Sequence, residues 1–202
     1  MVAQAIDRRG TLRNATAMKN TFSITTRTGD KGTTHLFSGE TISKHSQQTD
    51  AYGDLDEVVS LLGMARAASE RAALQETLIS LQRRLFVVGT ELATSLGHVQ
   101  QLAQRVDAAM VAELDRERDA LEERLPPVTD FILPGGTEVA AHLDLARAVT
   151  RRCERKVVGL LEAGLVENAD IVVWLNRLSD YLWLLAREEE GEAVLMKNAS
   201  MR

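Results

Sequence analysis

The chain has 202 residues, enough for one domain with a sizeable core. A formal charge of -5 argues against broad nucleic-acid binding, and 4% aromatic content is too little for a base-stacking surface. The single cysteine, Cys153, excludes an intrachain disulfide and a cysteine-built zinc site, points to a reducing compartment, and no apolar run of membrane-spanning length is present.

Residues 1–22 read as a tail. Arg8, Arg9, Arg13 and Lys19 face Asp7 alone, and no apolar signal core follows. A disordered extension and an organelle transit peptide both fit, so the expected location is the cytoplasm, or the mitochondrial matrix if the tail is a transit peptide. Residues 23–50 lack a helical period and are rich in Thr, Ser and Gly, which predicts an extended, loop-rich segment.

From Asp50 the pattern becomes helical. Tyr52, Leu55, Val58, Val59, Leu62 and Ala65 recur at helical spacing, and Leu74, Leu78, Leu81, Leu85, Val88 and Leu92 make a second helix expected to end near Gly97. A third, charge-rich helix is predicted at about 104–124, with Val106, Met110, Leu114 and Leu121 as its apolar stripe. All three prolines fall in the next stretch, at Pro126, Pro127 and Pro134, so the helices on either side are free of that breaker. Thr137 is a candidate cap for a fourth helix at about 138–163, whose stripe is Val139, Leu143, Ala146, Val149, Cys153, Val157 and Leu160. A fifth, at about 168–190, presents Val172, Leu175, Leu178, Leu182 and Leu185. These patterns predict an all-α fold, an antiparallel five-helix bundle at 23–190 preceded by an extended segment, with 191–202 as a C-terminal tail.

Four constellations carry chemistry. Thr26, Arg27, Thr28, Gly29, Asp30, Lys31, Gly32, Thr33 and Thr34 combine tight-turning glycines with cations and hydroxyls. That inventory suits a polyphosphate, although a simple polar turn has the same composition and the P-loop spacing is absent. On the fourth helix Arg147, Arg151, Glu154 and Arg155 share a face, with Arg152 and Lys156 beside them. The face is either solvated or a cationic clamp for phosphates, which Arg forks bind bidentately. Asp54, Asp56 and Glu57 open the first helix, where acids suit the helix dipole or orient an arginine of that face. Asn176 is a poor helix former in mid-helix, so its amide serves either a ribose hydroxyl or a helix–helix contact. Phe131 is either a core plug or an aromatic aimed at a ligand. His35, His45, His98 and His142 show no metal-ligand spacing, and no protein nucleophile context is present.

Taken together, Thr26–Thr34 (TRTGDKGTT), Lys44, the Tyr52–Glu57 acids, Phe131–Gly136 (FILPGG), Arg147–Arg155 (RAVTRRCER) and Leu175–Tyr181 (LNRLSDY) with Ala186-Arg187 resemble the PduO-type ATP:cob(I)alamin adenosyltransferases. Order and spacing agree over about 24–190. The resemblance implies a homotrimer with active sites between neighbouring subunits. It implies that ATP is held by Thr26–Thr34, Lys44, Arg147, the Arg151–Arg155 stretch (Arg151, Arg152, Glu154, Arg155) and Asn176. It further implies that Asp56 pairs with Arg151 across the subunit boundary, and that Phe131 packs at the lower face of the corrinoid and helps displace the lower axial ligand.

The implied reaction moves the 5′-deoxyadenosyl group of ATP to cob(I)alamin and releases triphosphate, with Mg²⁺ on the phosphates. Cobalt is the nucleophile, so the absence of a catalytic Ser, Cys or His constellation is consistent. The implied partners are a reductase and an adenosylcobalamin-dependent mutase, with neither nucleic acid nor membrane. Departures from the family pattern are Val59 in place of a polar residue, Gln47-Gln48-Thr49 at a turn, and Glu188-Glu189-Glu190 where apolar or aromatic residues are usual. The last bears on the corrinoid rim or the trimer edge. Two other classes stay open, a corrinoid escort and a helical adaptor with a cationic docking face, and a nucleotide hydrolase is the weakest.

Overall fold

The computed structural model describes Thr25, residues 27–191 and residues 194–196. Thr26, the expected tail at 1–22 and residues 197–202 lie outside the described residues. The chain divides into two compact units at Lys31/Gly32, and each is described by itself.

The larger unit is an all-α bundle of five helices: α1 Gln47–Ala68, α2 Ala72–Leu92, α3 Ala108–Glu122, α4 Glu138–Glu162 and α5 Asp170–Glu190. Helix α4 packs on both α1 and α5, α1 on α2, and α3 on α5. The apolar stripes read from the sequence point inward. Leu78, Leu81, Leu85 and Leu92 of α2, Leu143 and Leu160 of α4, and Ile171 and Leu175 of α5 have no solvent exposure. Each such side chain contributes about 1.5–3 kcal/mol over an exposed one. Trp174, unmarked by the sequence reading, joins them fully buried. Helices α1 and α2 approach closely at Gly89, where a Cβ would lie 3.0 Å from Leu55 Cδ2.

Helix ends follow local capping chemistry. Ser46 caps α1 through its side chain, which accepts from the Thr49 N–H at 3.2 Å, so α1 begins at Gln47, three residues ahead of the expected Asp50, and Asp54, Asp56 and Glu57 lie past its first turn instead of opening the helix. Asp107 caps α3 at the Met110 N–H (2.8 Å), and this start at Ala108 corrects the expected 104. Val106 is therefore buried just ahead of the helix. Helix α2 stops at Leu92 rather than near Gly97, and a single 3-10 turn, Val99–Gln101, follows. Thr137 caps α4 as expected, accepting from Ala140 N–H at 3.1 Å. Gly164, at φ 65°, closes its other end while Leu165 N–H bonds back to Leu160 C=O at 2.9 Å.

The loop-rich segment contains more order than its composition indicates. Strands β1 Thr33–His35 and β2 Thr41–Ser43 form an antiparallel hairpin with Thr34 opposite Ile42. Its turn docks on the end of α2 through Phe37 N–H to Ala93 C=O (2.7 Å) and Ser95 N–H to Ser38 Oγ (3.0 Å). Among the described residues no helix is long and apolar enough to cross a membrane.

Candidate active site

Helix α4 must bury one face against α1 and α5, and that requirement sorts its charges. Arg147, Arg151 and Arg155, four residues apart, lie along one ridge away from the buried Ala146, Val149, Cys153 and Val157. Arg147 is half-buried, while Arg151 and Arg155 are exposed. None of the three has an ion-pair partner among the described residues, so their guanidinium forks are free for an anion.

The neighbouring cations are already engaged. Arg152 Nε lies 3.0 Å from Asp54 Oδ2 on α1, and its Nη2 meets Glu57. Lys156 Nζ sits 2.9 Å from both Asp54 Oδ2 and Asp50 Oδ1. Burial pushes the Asp54 carboxyl up, but the hydrogen bonds and charges of Arg152 and Lys156 outweigh it and hold the group below its ordinary value. Glu154 accepts from Asn176 Nδ2 at 3.2 Å, and Asn176 Oδ1 accepts from Arg177 at 2.8 Å. The Asn176 amide thus makes a helix–helix contact in this chain. Asp56, by contrast, is exposed and has no ion-pair partner among the described residues. It borders an apolar groove of about 410 Å³ between α1 and α2, with Phe37, Tyr52, Val59 and Phe86. Val59, a departure in the sequence, is a wall of that groove.

The glycine-containing loop falls in two parts. In the smaller unit Arg27 adopts φ 60°, a conformation rare for a residue with a side chain, and Asp30 N–H turns back to Arg27 C=O at 3.4 Å. Thr28, Asp30 and Lys31 are exposed, and Gly29 is half-buried. In the larger unit Gly32, at φ 82°, leads into β1 with Thr33 and Thr34, and its C=O accepts from Lys44 N–H at 2.9 Å. This leaves the Lys44 side chain exposed at the hairpin's open end.

Phe131 is 78% exposed, which rules out the core plug. The rigid FILPGG stretch holds it there. Met196 N–H donates to Phe131 C=O at 2.8 Å, and Leu133 N–H donates to Val194 C=O at 2.9 Å, so part of the expected C-terminal tail pairs with this segment. Beside it opens an apolar groove of about 600 Å³ lined by Pro126, Pro127, Val128, Ile132, Trp183 and Leu184. Trp183 and Leu184 also border a polar cavity of about 360 Å³ that contains Arg147, Arg118 and Asp180. The groove beside the phenylalanine segment therefore shares a wall with the cavity that holds Arg147, the start of the arginine ridge. The sequence reading missed Trp183, Ile132 and Val128; for the last two, their place between Pro126 and Pro134 was the available signal, and Trp183 reaches the groove only through the fold.

The cobalamin adenosyltransferase family model matches residues 24–189. A corrinoid adenosyltransferase of Citrobacter freundii is 37% identical over 169 residues, 84% of this chain and 96% of its own. The corrinoid adenosyltransferase PduO of that organism is 37% identical over 170 residues, and there the match spans only 50% of the relative. The corrinoid adenosyltransferase MMAB of Homo sapiens is 38% identical over 185 residues, 87% of this chain and 74% of its own. Among solved structures, a phenylalanine-to-alanine variant of the PduO-type ATP:corrinoid adenosyltransferase from Lactobacillus reuteri, complexed with cobalamin and ATP, superposes with a TM-score of 0.79 at 31% identity, covering 87% of this chain and 100% of that one. An arginine-to-lysine variant complexed with ATP gives a TM-score of 0.78 at 32% identity over 85% and 99% of the two chains. With the motifs, the bundle and these relatives in agreement, this chain belongs to the cobalamin adenosyltransferase family.

Proposed function

We propose that the protein transfers the 5′-deoxyadenosyl group of ATP to cob(I)alamin, forming adenosylcobalamin and triphosphate. The observation that carries this is the junction of two unlike surfaces. A ridge of arginines without ion-pair partners among the described residues starts at Arg147, in a cavity that shares Trp183 and Leu184 with the apolar groove lined by Ile132, next to the exposed Phe131. Relatives of the same fold are known in complex with cobalamin and ATP.

In this reaction Co(I) donates an electron pair to C5′ of ATP, the C5′–O bond breaks, and that bonding pair leaves with triphosphate. Cobalt ends as Co(III) bonded to carbon. The chain's task is positioning and charge neutralisation. In the larger unit Arg147, Arg151 and Arg155 take the triphosphate, with Lys44 and the hydroxyls of Thr33 and Thr34 as further donors, and the smaller unit carries phosphate donors of its own in Arg27, Thr28 and Lys31. The free backbone of Gly29 and Gly32 lets the chain approach the phosphates closely. Asp30, Arg152, Glu154 and Asn176 shape the site rather than clamp it, since the last three are bonded to neighbouring helices. Among the described residues no three His, Cys, Asp or Glu side chains converge to hold a metal ion. Neutralisation by the chain falls to its cations, with Mg²⁺ carried on the phosphates of ATP.

The corrinoid lies in the groove lined by Ile132, Val128 and Trp183, with Phe131 displacing its lower ligand and excluding water. Asp56, solvated and without an ion-pair partner among the described residues beside the α1–α2 groove, is reserved for Arg151 of a second subunit in a homotrimer. A reductase supplying Co(I) and a mutase receiving the product complete the proposal.

The test is an anaerobic assay with chemically reduced cob(I)alamin, ATP and Mg²⁺. Protein-dependent loss of the Co(I) absorbance, with adenosylcobalamin and triphosphate formed in equal amounts, is the expected result. Binding of both substrates without turnover would replace the enzyme by a corrinoid escort.

A further inference from the structure

The run Glu188-Glu189-Glu190 closes α5, and its three carboxylates do different things. Glu188 pairs with Arg71 and Arg124, and Glu189 with Arg71, all involving exposed arginines. Glu190 alone is buried, its side chain without solvent exposure. Burying a carboxylate is costly unless it is paired and hydrogen-bonded. Glu190 has both kinds of partner. Its Oε2 lies 2.8 Å from Nη1 of Arg187, and its Oε1 accepts from Gly136 N–H at 3.2 Å. Arg187 is itself buried, bonded to Asp144 on α4 and stacked with its guanidinium carbon 5.6 Å from the Trp183 ring centroid.

We propose that Glu190 is a positioning residue for Phe131, a latch that fixes the turn at 134–136 to the end of α5 and so holds the phenylalanine over the corrinoid groove. The proposal rests on the reading of Phe131 given above. Three contacts define the latch. Gly136 fits against Glu190 so tightly that a Cβ there would lie 2.3 Å from Glu190 Cγ. Gly135, at φ 114°, takes a conformation that other residues rarely adopt, so the turn is shaped to deliver the Gly136 N–H. Thr137 Oγ1 donates to Glu189 C=O at 3.2 Å, tying the next residue to the same helix end. Because Arg187 holds Glu190 and touches Trp183, the latch also registers the segment against the wall of the groove.

The experiment compares the full-length variants Glu190→Ala, Glu190→Gln, Gly136→Ala and Phe131→Ala with the parent. Turnover is started either from the Co(II) corrinoid with a reductant or from pre-reduced Co(I), and backbone amide exchange at 131–136 is followed alongside. Glu190→Ala should lose at least about tenfold in the Co(II)-started rate with under about threefold lost from Co(I), and should speed exchange at the Gly136 amide about tenfold or more. Glu190→Gln keeps an acceptor for Gly136 and should recover part of both losses. Gly136→Ala should mimic Glu190→Ala alone and add little to it in the double variant. Equal losses from both cobalt states, tracking a lowered melting temperature, would reduce Glu190 to a stability role and overturn the proposal. So would unchanged exchange at 131–136. If Phe131→Ala splits the two rates and Glu190→Ala does not, the latch fails while the Phe131 reading stands. If Phe131→Ala shows no split, that reading fails, and the exchange data still decide whether Glu190 holds the turn.

Discussion

Arg152 and Asp54 are joined across α4 and α1, with Nε 3.0 Å from Oδ2, and this bond sets Arg152 apart from the arginines of the ridge beside it. Arg152 gives its fork to Asp54 and Glu57, so it contributes to helix packing. Arg151, one residue earlier, turns about 100° away around the helix and keeps its fork free. Adjacent residues of one type thus differ in their engagement with the rest of the bundle.

The expected outcome of exchanging each for alanine follows. Arg151→Ala should lower the adenosylation rate by about 10²–10³, as for loss of one donor to a developing anion, with an unchanged melting temperature. Arg152→Ala should do the reverse. It leaves Asp54 with Lys156 alone and should cost about 1 kcal/mol, with a smaller effect on rate. Steady-state kinetics paired with thermal unfolding of both variants checks this, and a larger rate loss for Arg152→Ala would place Arg152 on the phosphates instead.

Helical periodicity made the bundle legible, because burying one stripe per helix is an energetic necessity that the sequence must record. Leu143, Ala146, Val149, Cys153, Val157 and Leu160 were all readable this way, and all are buried. The hairpin was not, since three-residue strands set among turn residues leave no usable alternation. The choice between Asp54 and Asp56 was also hidden. Two residues span about 200° of helix, so the acids point to nearly opposite sides, and only the rotation of α1 against α4 decides which meets Arg152. Glu91 and Glu190 read as surface charges in a string of letters. Their burial depends on partners distant in sequence, Val106 for Glu91 and Gly136 for Glu190, the latter helped by its near neighbour Arg187.

Phe131 offers a test that separates function from folding. A side chain 78% exposed buries little area, so Phe131→Ala should leave the melting temperature within about 1–2 °C of the parent. Its turnover from Co(II) should fall much more than its turnover from pre-reduced Co(I). The absorption spectrum of the bound Co(II) corrinoid with ATP should show the lower ligand retained. Equal losses from both starting states would end the wedge mechanism.

Glu91 should behave in the opposite way. It is buried at the end of α2 and gathers Arg105 Nη2 (2.9 Å), Val106 N–H (2.9 Å) and Asn168 Nδ2 (3.0 Å). One carboxylate thereby pins the segment before α3 to the α4–α5 connection. Glu91→Ala strands an arginine, a backbone donor and an amide at once. Breaking a buried pair costs about 3–5 kcal/mol, and the lower end applies because Arg105 is partly solvated. A loss of about 3 kcal/mol should lower the melting temperature by about 6–12 °C. Calorimetry of the variant reads this directly, and a drop under about 2 °C would mean that water replaces the carboxylate.

Glu40 gives the fold an acid-sensitive contact at the hairpin turn. Hydroxyl hydrogen bonds from Ser38 and Ser95 hold its carboxyl down to about 2, with His98 Nδ1 3.0 Å from Oε1. A folded-state value below the unfolded value of about 4.3 means that the charged form stabilises the docked turn. That stabilisation is complete above about pH 4.3 and is lost as the pH falls through about 2. Glu40→Gln should therefore lose this contribution at neutral pH and become less pH-dependent than the parent in that acid window. The Glu40 carboxyl carbon should titrate near 2 in the folded parent, and Ser95→Ala should move its midpoint upward. A midpoint near 4 in the parent would show that the two hydroxyls do not hold the carboxylate, and the turn would then owe its docking to the Phe37–Ala93 and Ser95–Ser38 bonds.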